Sequence, residues 1–150
     1  MRPYFIVLSG YIPERDETVE VLGKMAGMSR TRVFTNDHKM AETKPGYTFH
    51  NNKEYFKLGH DSMMLLTYNG GSVYGILAAD VRNSDIIAVD ASDAQRLKAF
   101  CIGYNRPCYI IGTGPMSDES KSLTDIYLEQ PDYQVIMGFI ISKMVKELKA

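Results

Sequence analysis

The chain has 150 residues, of which 45% are hydrophobic and 23% charged, and its formal net charge is −1. These values are typical of one globular domain that can bury a sizeable core. The sequence has no basic stripe, which argues against nucleic acid as a partner. It also has no run of eighteen apolar residues, so we do not expect a membrane span. The first residues lack a secretory signal pattern, so we expect a cytoplasmic protein.

Four continuous apolar runs predict buried strands, and they are YFIVLS, DIIAVD, PCYIIG and YQVIM. Runs without polar alternation are typical of parallel strands that are covered on both faces. Helical patterns lie between and after them, and we predict helices over 16–28, 92–102, 117–128 and about 139–148. Ser92 and Ser117 are expected as N-caps of the second and third helices. This alternation indicates an α/β fold, a parallel sheet flanked by helices.

The middle of the chain has a different pattern. The segment GYTFHNNKEYFKL predicts a short strand followed by an Asn-capped helical turn. In SMMLLTYNGGSVYG, the Asn69-Gly70 pair between two β-rich runs predicts a hairpin, since a tight turn favours residues that accept positive φ. We therefore expect a small mixed insertion over 35–76, within a core formed by 1–34 and 77–150.

Residue types that ligate metals are few and poorly spaced. Cys101 and Cys108 are the only cysteines, which is too few for a zinc knuckle, and buried free thiols are expected rather than a disulfide. Asp90 and Asp93 follow a predicted strand, where acidic residues cap a helix more often than they bind a metal. The three histidines show no ligand spacing, and they are His38, His50 and His60. We predict no metal site.

Taken in order, these pieces resemble a guanylate kinase over nearly the whole chain. YFIVLSG resembles the opening strand and the first glycine of the phosphate loop, and KPGYTFHNNKEYFKL resembles the segment that builds the nucleoside-monophosphate (NMP) domain. NGGSVYGI, IIAVDASDAQRLKAF and DYQVI with its following helix resemble the later parts of the family pattern. The resemblance implies a three-layer P-loop kinase-like fold, in which the insertion is the NMP-binding part.

The phosphate loop is where the sequence departs most from the family. Gly10 matches the first glycine of a Walker A loop and Thr18 matches its last hydroxyl position. Asp16 stands where the phosphate-binding Lys is expected, and Pro13 replaces a glycine and removes an N–H donor. Asp16 and Glu17 have two interpretations: they cap the first turn of a helix, or they fill the anion site themselves. In either case they disfavour a bound triphosphate.

The acceptor side and the lid of the family are also incomplete. The residues that still match the acceptor pattern are Thr35, Tyr47, Tyr74 and Asp90. Asp37 lies near the position of the first acceptor arginine, which Lys39 or His38 could replace. Leu65 takes the place of the acid that reads the guanine edge, and Ala88 takes the place of the first of two aspartates. No arginine follows PCYIIG, although the family lid is arginine-rich.

The leading prediction is a catalytically degenerate guanylate-kinase-like protein, without catalytic residues or a certain cofactor, that binds a protein partner or a GMP-like nucleotide. One alternative is an active nucleoside-monophosphate kinase that uses Mg and ATP, with Arg15, Lys39 and Lys44 supplying the missing charge. Another is a phage or mobile-element nucleotide sponge or sensor. The candidate nucleotide-binding residues are Gly10, Arg15, Thr18, Thr35, Lys39, Tyr47, Tyr74 and Asp90. The sequence does not predict the oligomeric state.

Overall fold

The computed structural model describes residues 1–9, 12–43, 46–49, 63–69 and 72–149. The strands are β1 Tyr4–Ser9, β2 Val33–Thr35, β3 Tyr47–Phe49, β4 Met63–Asn69, β5 Ser72–Leu77, β6 Ile86–Ala88, β7 Cys108–Thr113 and β8 Ile126–Leu128. The helices are α1 Ile12–Ala26, α2 His38–Thr43, α3 Ala78–Arg82, α4 Ala91–Gly103, α5 Asp118–Lys121 and α6 Tyr133–Lys149.

The chain divides into two compact units. We call Met1–Arg30 with Asp85–Ala150 the core unit, and Thr31–Ser84 the small unit. The small unit is wider at both ends than the insertion predicted over 35–76. Each unit contains its own sheet.

The sheet of the core unit has four parallel strands in the order β6-β1-β7-β8. Strand β1 lies inside the sheet and is almost completely buried from Tyr4 to Leu8, as its continuous apolar sequence predicts. Helices α1 and α6 cover the core through side chains that include Leu22 and Ile140, and α4 packs against β1 and β7. The predicted α/β class and three of the four predicted strands are confirmed.

The fourth predicted strand, YQVIM, is wrong, because this segment is the beginning of α6. Asp132 explains the difference: its Oδ1 accepts hydrogen bonds from the N–H groups of Gln134 (3.1 Å) and Val135 (3.2 Å), which caps a helix at this point. Ile136 and Ile140 are fully buried and are spaced by about one helical turn. The apolar run therefore follows the period of a helix that begins six residues before the predicted one.

The predicted helix over 117–128 is also wrong in its second half. Ser117 is the N-cap, as predicted, since its side chain accepts from the N–H of Ser120, but α5 ends at Lys121. Asp125 then joins the next segment to β7. Its carboxylate accepts from the N–H of Ile110 (2.7 Å), and its own N–H donates to the Ile110 carbonyl (2.8 Å). These two bonds align β8 as an additional edge strand, which the sequence analysis missed.

Two helices begin earlier than predicted. Helix α1 begins at Ile12, four residues before the predicted start. Helix α4 begins at Ala91, and its N-cap is Asp90, not Ser92. The Oδ1 atom of Asp90 accepts from the N–H of Asp93 at 2.9 Å. The Asp90 carboxylate therefore caps α4, and the prediction that Ser92 is the N-cap is wrong.

A charged cluster joins the amino-terminal ends of β6 and β7. The carboxylate of Asp85 is buried and accepts from the N–H (2.9 Å) and the hydroxyl (3.2 Å) of Ser29. The Arg106 guanidinium, whose side chain is 3% exposed, lies 3.9 Å from Asp85, and its Nε donates to the Arg2 carbonyl. Each buried charge therefore has charged or polar neighbours, and none is left unpaired in the interior.

The sheet of the small unit is mixed, in the order β3-β2-β5-β4. Strands β2 and β3 are parallel, whereas β5 is antiparallel to both β2 and β4. The predicted β4–β5 hairpin is confirmed, but Asn69 pairs with Ser72. The connecting residues are thus 70 and 71, not Asn69 and Gly70. The Asn-capped turn predicted within GYTFHNNKEYFKL lies outside the described residues.

Cys101 and Cys108 are buried free thiols at the end of α4 and the start of β7. Hydrogen bonding to Cys101, together with burial, raises the pKa of the Cys108 thiol. Within the part of the chain that the structure describes, no three His, Cys, Asp or Glu side chains are grouped to hold a metal ion. The helices of that part include none that is both long enough and apolar enough to cross a bilayer.

Candidate functional site

The carboxyl ends of the parallel strands are the first place to look for a ligand, because open α/β sheets bind ligands at this edge. Strands β1 and β7 end together, with Ser9 and Thr113 in register. Arg15 and Thr18 lie on the helix that follows β1, and Asp90 follows β6. Gly10 and the side chain of Arg15 lie outside the described residues.

The connection from β1 to α1 is short. Strand β1 ends at Ser9 and α1 begins at Ile12, so that only residues 10 and 11 separate them. A Walker A loop places five residues between its first glycine and its Lys, near which the helix begins. Here four of the five matched positions, 12–15, are already helical. The helix therefore occupies backbone that a phosphate loop would use to surround phosphate.

Asp16, at the position matched to the phosphate-binding Lys, forms an ion pair with Arg30. Its Oδ1 lies 2.7 Å from Arg30 Nη2, and the two side chains are only 23% and 15% exposed. Because α1 begins at Ile12, Asp16 lies in the second helical turn, and the interpretation of Asp16 and Glu17 as first-turn caps is wrong. Arg30 supplies the counter-charge for the carboxylate within the protein.

Thr18 and Asp90 differ sharply in exposure. Thr18 is completely buried, and its hydroxyl has no hydrogen-bond partner among the described residues. Thr113, at the end of β7, is also completely buried, and its hydroxyl likewise has no partner among those residues. Asp90 is exposed but its carboxylate caps α4. Thus Thr18 faces the interior, whereas Asp90 is accessible from solvent and already accepts one hydrogen bond.

In the small unit, the polar residues matched to the acceptor loop form a local turn. Asp37 donates its N–H to Thr35 Oγ1 (3.1 Å), and its carboxylate accepts from the N–H of Met40 (3.2 Å), which caps α2. Asn36 Oδ1 accepts from the N–H of Val73 (2.8 Å) and ties the turn to β5. Lys39 is exposed on α2. The aspartate near the predicted arginine position therefore has a structural role as a helix cap.

An aromatic face lies beside this turn. Thr35 pairs with both Phe49 and Tyr74, and directly paired residues project from the same side of a sheet. The ring centroids of Tyr47 and Tyr74 are 6.4 Å apart in an edge-on arrangement, and the ring of His38 stacks on Phe49 with centroids 3.6 Å apart. We define the aromatic face as His38, Tyr47, Phe49 and Tyr74. All four are at least partly exposed.

The structure thus brings together Thr35, Tyr47 and Tyr74 from the predicted set, with Lys39 on the adjoining helix. The sequence analysis missed Phe49 and the stacking of His38 on it, because it considered the histidine for its charge and its ring nitrogens and not for its aromatic ring. It also missed Arg30. That residue is fourteen positions beyond Asp16, so no helical or strand spacing links the two in the sequence.

No family model matches the sequence, and no curated protein resembles it in sequence. The fold does have a relative among solved structures. The guanylate kinase from Anaplasma phagocytophilum is similar with a TM-score of 0.65, over 95% of this chain and 86% of that one. The chain has the guanylate kinase fold. At 13% identity, this similarity establishes the architecture and leaves activity to the site.

Proposed function

We propose that the protein is a catalytically inactive guanylate-kinase-like protein that binds a GMP-like nucleotide without transferring phosphate to it. The observation that carries the proposal is the Asp16–Arg30 ion pair on a helix that begins at Ile12. It supports the proposal because Asp16, the residue matched to the lysine of the phosphate loop, is a carboxylate whose charge Arg30 already neutralises.

The fold family implies ATP with Mg²⁺ as the phosphate donor, and the described residues do not fit it. Phosphoryl transfer depends on positive charge around the transferred group. Here the Lys position is an aspartate already bound by Arg30, and the matched hydroxyl of Thr18 is enclosed in the core. The short β1–α1 connection adds a second obstacle, since less backbone is left to surround phosphate.

The aromatic face supports the hypothesis that the protein still binds a nucleotide, although it lacks a triphosphate site. Half-buried aromatic rings stack on bases and tolerate many ring systems. The exposed Lys39 adds a cation on the adjoining helix, and this cation suits a monophosphate without a triphosphate site. These features suit capture of a nucleoside monophosphate, the role of a sponge or sensor.

A thermal-shift panel of GMP, dGMP, ATP, GTP and cyclic nucleotides tests the proposal. We expect stabilisation by a monophosphate, which at a hundred times its dissociation constant amounts to about 2.7 kcal/mol, and none by ATP with Mg²⁺. Tyr74→Leu should weaken this binding by about tenfold, the loss of one stacking contact. Phe100→Leu, at a half-buried ring on α4, is the matched control and should leave the affinity unchanged.

Each other outcome contradicts a specific part of the proposal. If no nucleotide binds, the nucleotide part is wrong, and a protein partner, sought by pull-down, becomes the better explanation. If ATP binds and GMP is phosphorylated, the protein is the active kinase of the alternative hypothesis. If Phe100→Leu weakens binding as much as Tyr74→Leu does, the aromatic face is not the binding surface.

A further inference from the structure

Helix α6 has an apolar stripe on its outer side. Its inner side packs into the core through Ile136 and Ile140, which are fully buried. The outer side exposes four more large apolar side chains, at 45%, 53%, 42% and 86% of their surface, and they are Val135, Ile141, Val145 and Leu148. With Gly138, these residues recur every three or four positions, so they form one continuous stripe. The stripe is about 20 Å long.

We propose that this outer stripe binds the same stripe of a second copy of the chain, with the two helices antiparallel. A two-fold axis between Ile141 and Ser142 then sets Val135 opposite Leu148 and Gly138 opposite Val145. Gly138 of each copy then leaves space for Val145 of the other, and Val135 and Leu148 form an apolar contact at each end of the stripe. A Cβ atom at Gly138 would meet nothing within 4 Å among the described residues, so there is room for Val145 of the second copy.

Charge at the two ends of α6 favours the antiparallel direction. Glu129 and Asp132 are exposed before the helix begins, and the last turn contains Lys146 and Lys149 in the sequence. Glu147, the acidic residue of that turn, accepts a hydrogen bond from the Tyr109 hydroxyl (2.9 Å). An antiparallel pair brings the acidic end of one helix to the basic end of the other and also opposes the helix dipoles. A parallel pair would bring like charges together.

The size of the stripe predicts a weak dimer. Stable interfaces bury about 800 Å² on each partner, and one exposed helix stripe offers less. We therefore expect reversible association at tens to hundreds of micromolar, through an interface that uses the same patch on both copies.

Sedimentation velocity of the full chain from about 5 to 500 µM tests the proposal. The mass should rise from 16.9 kDa towards twice that value, and added salt should weaken association because the ends attract. Ile141→Glu should raise the dissociation constant at least tenfold. Ile102→Glu is the matched control, because Ile102 is a similarly exposed isoleucine (61%) on α4, and it should leave the constant unchanged. A thermal melt checks that each variant is folded, and Val145→Glu replaces Ile141→Glu if that variant is not.

Disulfide cross-linking of variants that each carry one added cysteine tests the direction. Ser142→Cys lies at the proposed axis and should form a covalent dimer on oxidation. Val135→Cys should not, because the two copies of residue 135 are about 20 Å apart in an antiparallel pair. Cys101 and Cys108 are buried, so the unmodified protein should not cross-link. A monomer at every concentration, a dimer insensitive to both stripe variants, a stripe occupied by another protein, or efficient cross-linking through Val135→Cys would overturn the proposal.

Discussion

The two units of the chain use their polar side chains in different ways. In the core unit, two carboxylates lie beside poorly exposed arginines: Asp16 beside Arg30, and Asp85 beside Arg106, with the exposed Arg2 also near Asp85. In the small unit, Thr35 and its neighbours close a local turn, and aromatic rings remain partly exposed beside it. The difference is that the ion pairs of the core unit serve internal contacts, whereas the small unit leaves aromatic rings accessible to solvent.

The largest expected effect comes from Asp85→Ala in the core unit. It removes the carboxylate beside Arg106, whose side chain is 3% exposed, and breaking a buried pair costs about 3–5 kcal/mol. Asp80→Ala, which removes the partner of the half-exposed Arg32 in the small unit, should cost less than about 1 kcal/mol. Urea denaturation measures both free energies of unfolding. Equal losses would contradict the distinction between the units.

The next effect comes from Asp16→Lys, which restores the charge of a kinase loop. We expect a loss of about 2–3 kcal/mol in the free energy of unfolding, because two cations then meet in a partly buried site. Glu20→Lys reverses the same charge at the exposed Lys24 pair of the same helix and should cost about 0.5 kcal/mol. If Asp16→Lys left the free energy of unfolding unchanged and introduced ATP binding, the claim that the ion pair with Arg30 stabilises this position would be wrong.

The smallest effect concerns alkaline pH. Burial, with the hydrogen bond to Glu147, raises the pKa of Tyr109 to about 12, whereas an unfolded tyrosine titrates near pH 10. The contribution of Tyr109 to the free energy of unfolding is therefore complete below about pH 10 and is lost by about pH 12. Tyr109→Phe should flatten this part of the stability profile, measured by urea midpoints between pH 9 and 12. An unchanged slope in the variant would exclude Tyr109 as the source.

Much of the core unit could be predicted from the sequence because its strands are continuous apolar runs. The strand predicted for YQVIM was wrong for a physical reason. Asp132 caps a helix immediately before this segment, and this local bond selects the helix for an apolar sequence that suits either a helix or a strand. The helix predicted over 117–128 failed because the Asp125 carboxylate bonds to β7. Such a contact between separate segments leaves no periodic signal.

The candidate site was predictable in composition and not in geometry. The match of Asp16 to the position of a phosphate-loop lysine is a prediction that follows from the resemblance. The partner of Asp16, Arg30, could not be predicted in this way, since the fold alone brings the two together. Tyr47 and Tyr74 were predicted from the resemblance, whereas the contact between their rings depends on strand register. Residue types can therefore be read along the chain, but their partners depend on topology.

A coupled assay of phosphotransfer from ATP to GMP in the presence of Mg²⁺ separates nucleotide binding from phosphate transfer. We predict ADP production no faster than the background rate without protein, under conditions in which the thermal-shift assay detects GMP binding. ADP production that requires GMP and scales with protein concentration would contradict the account.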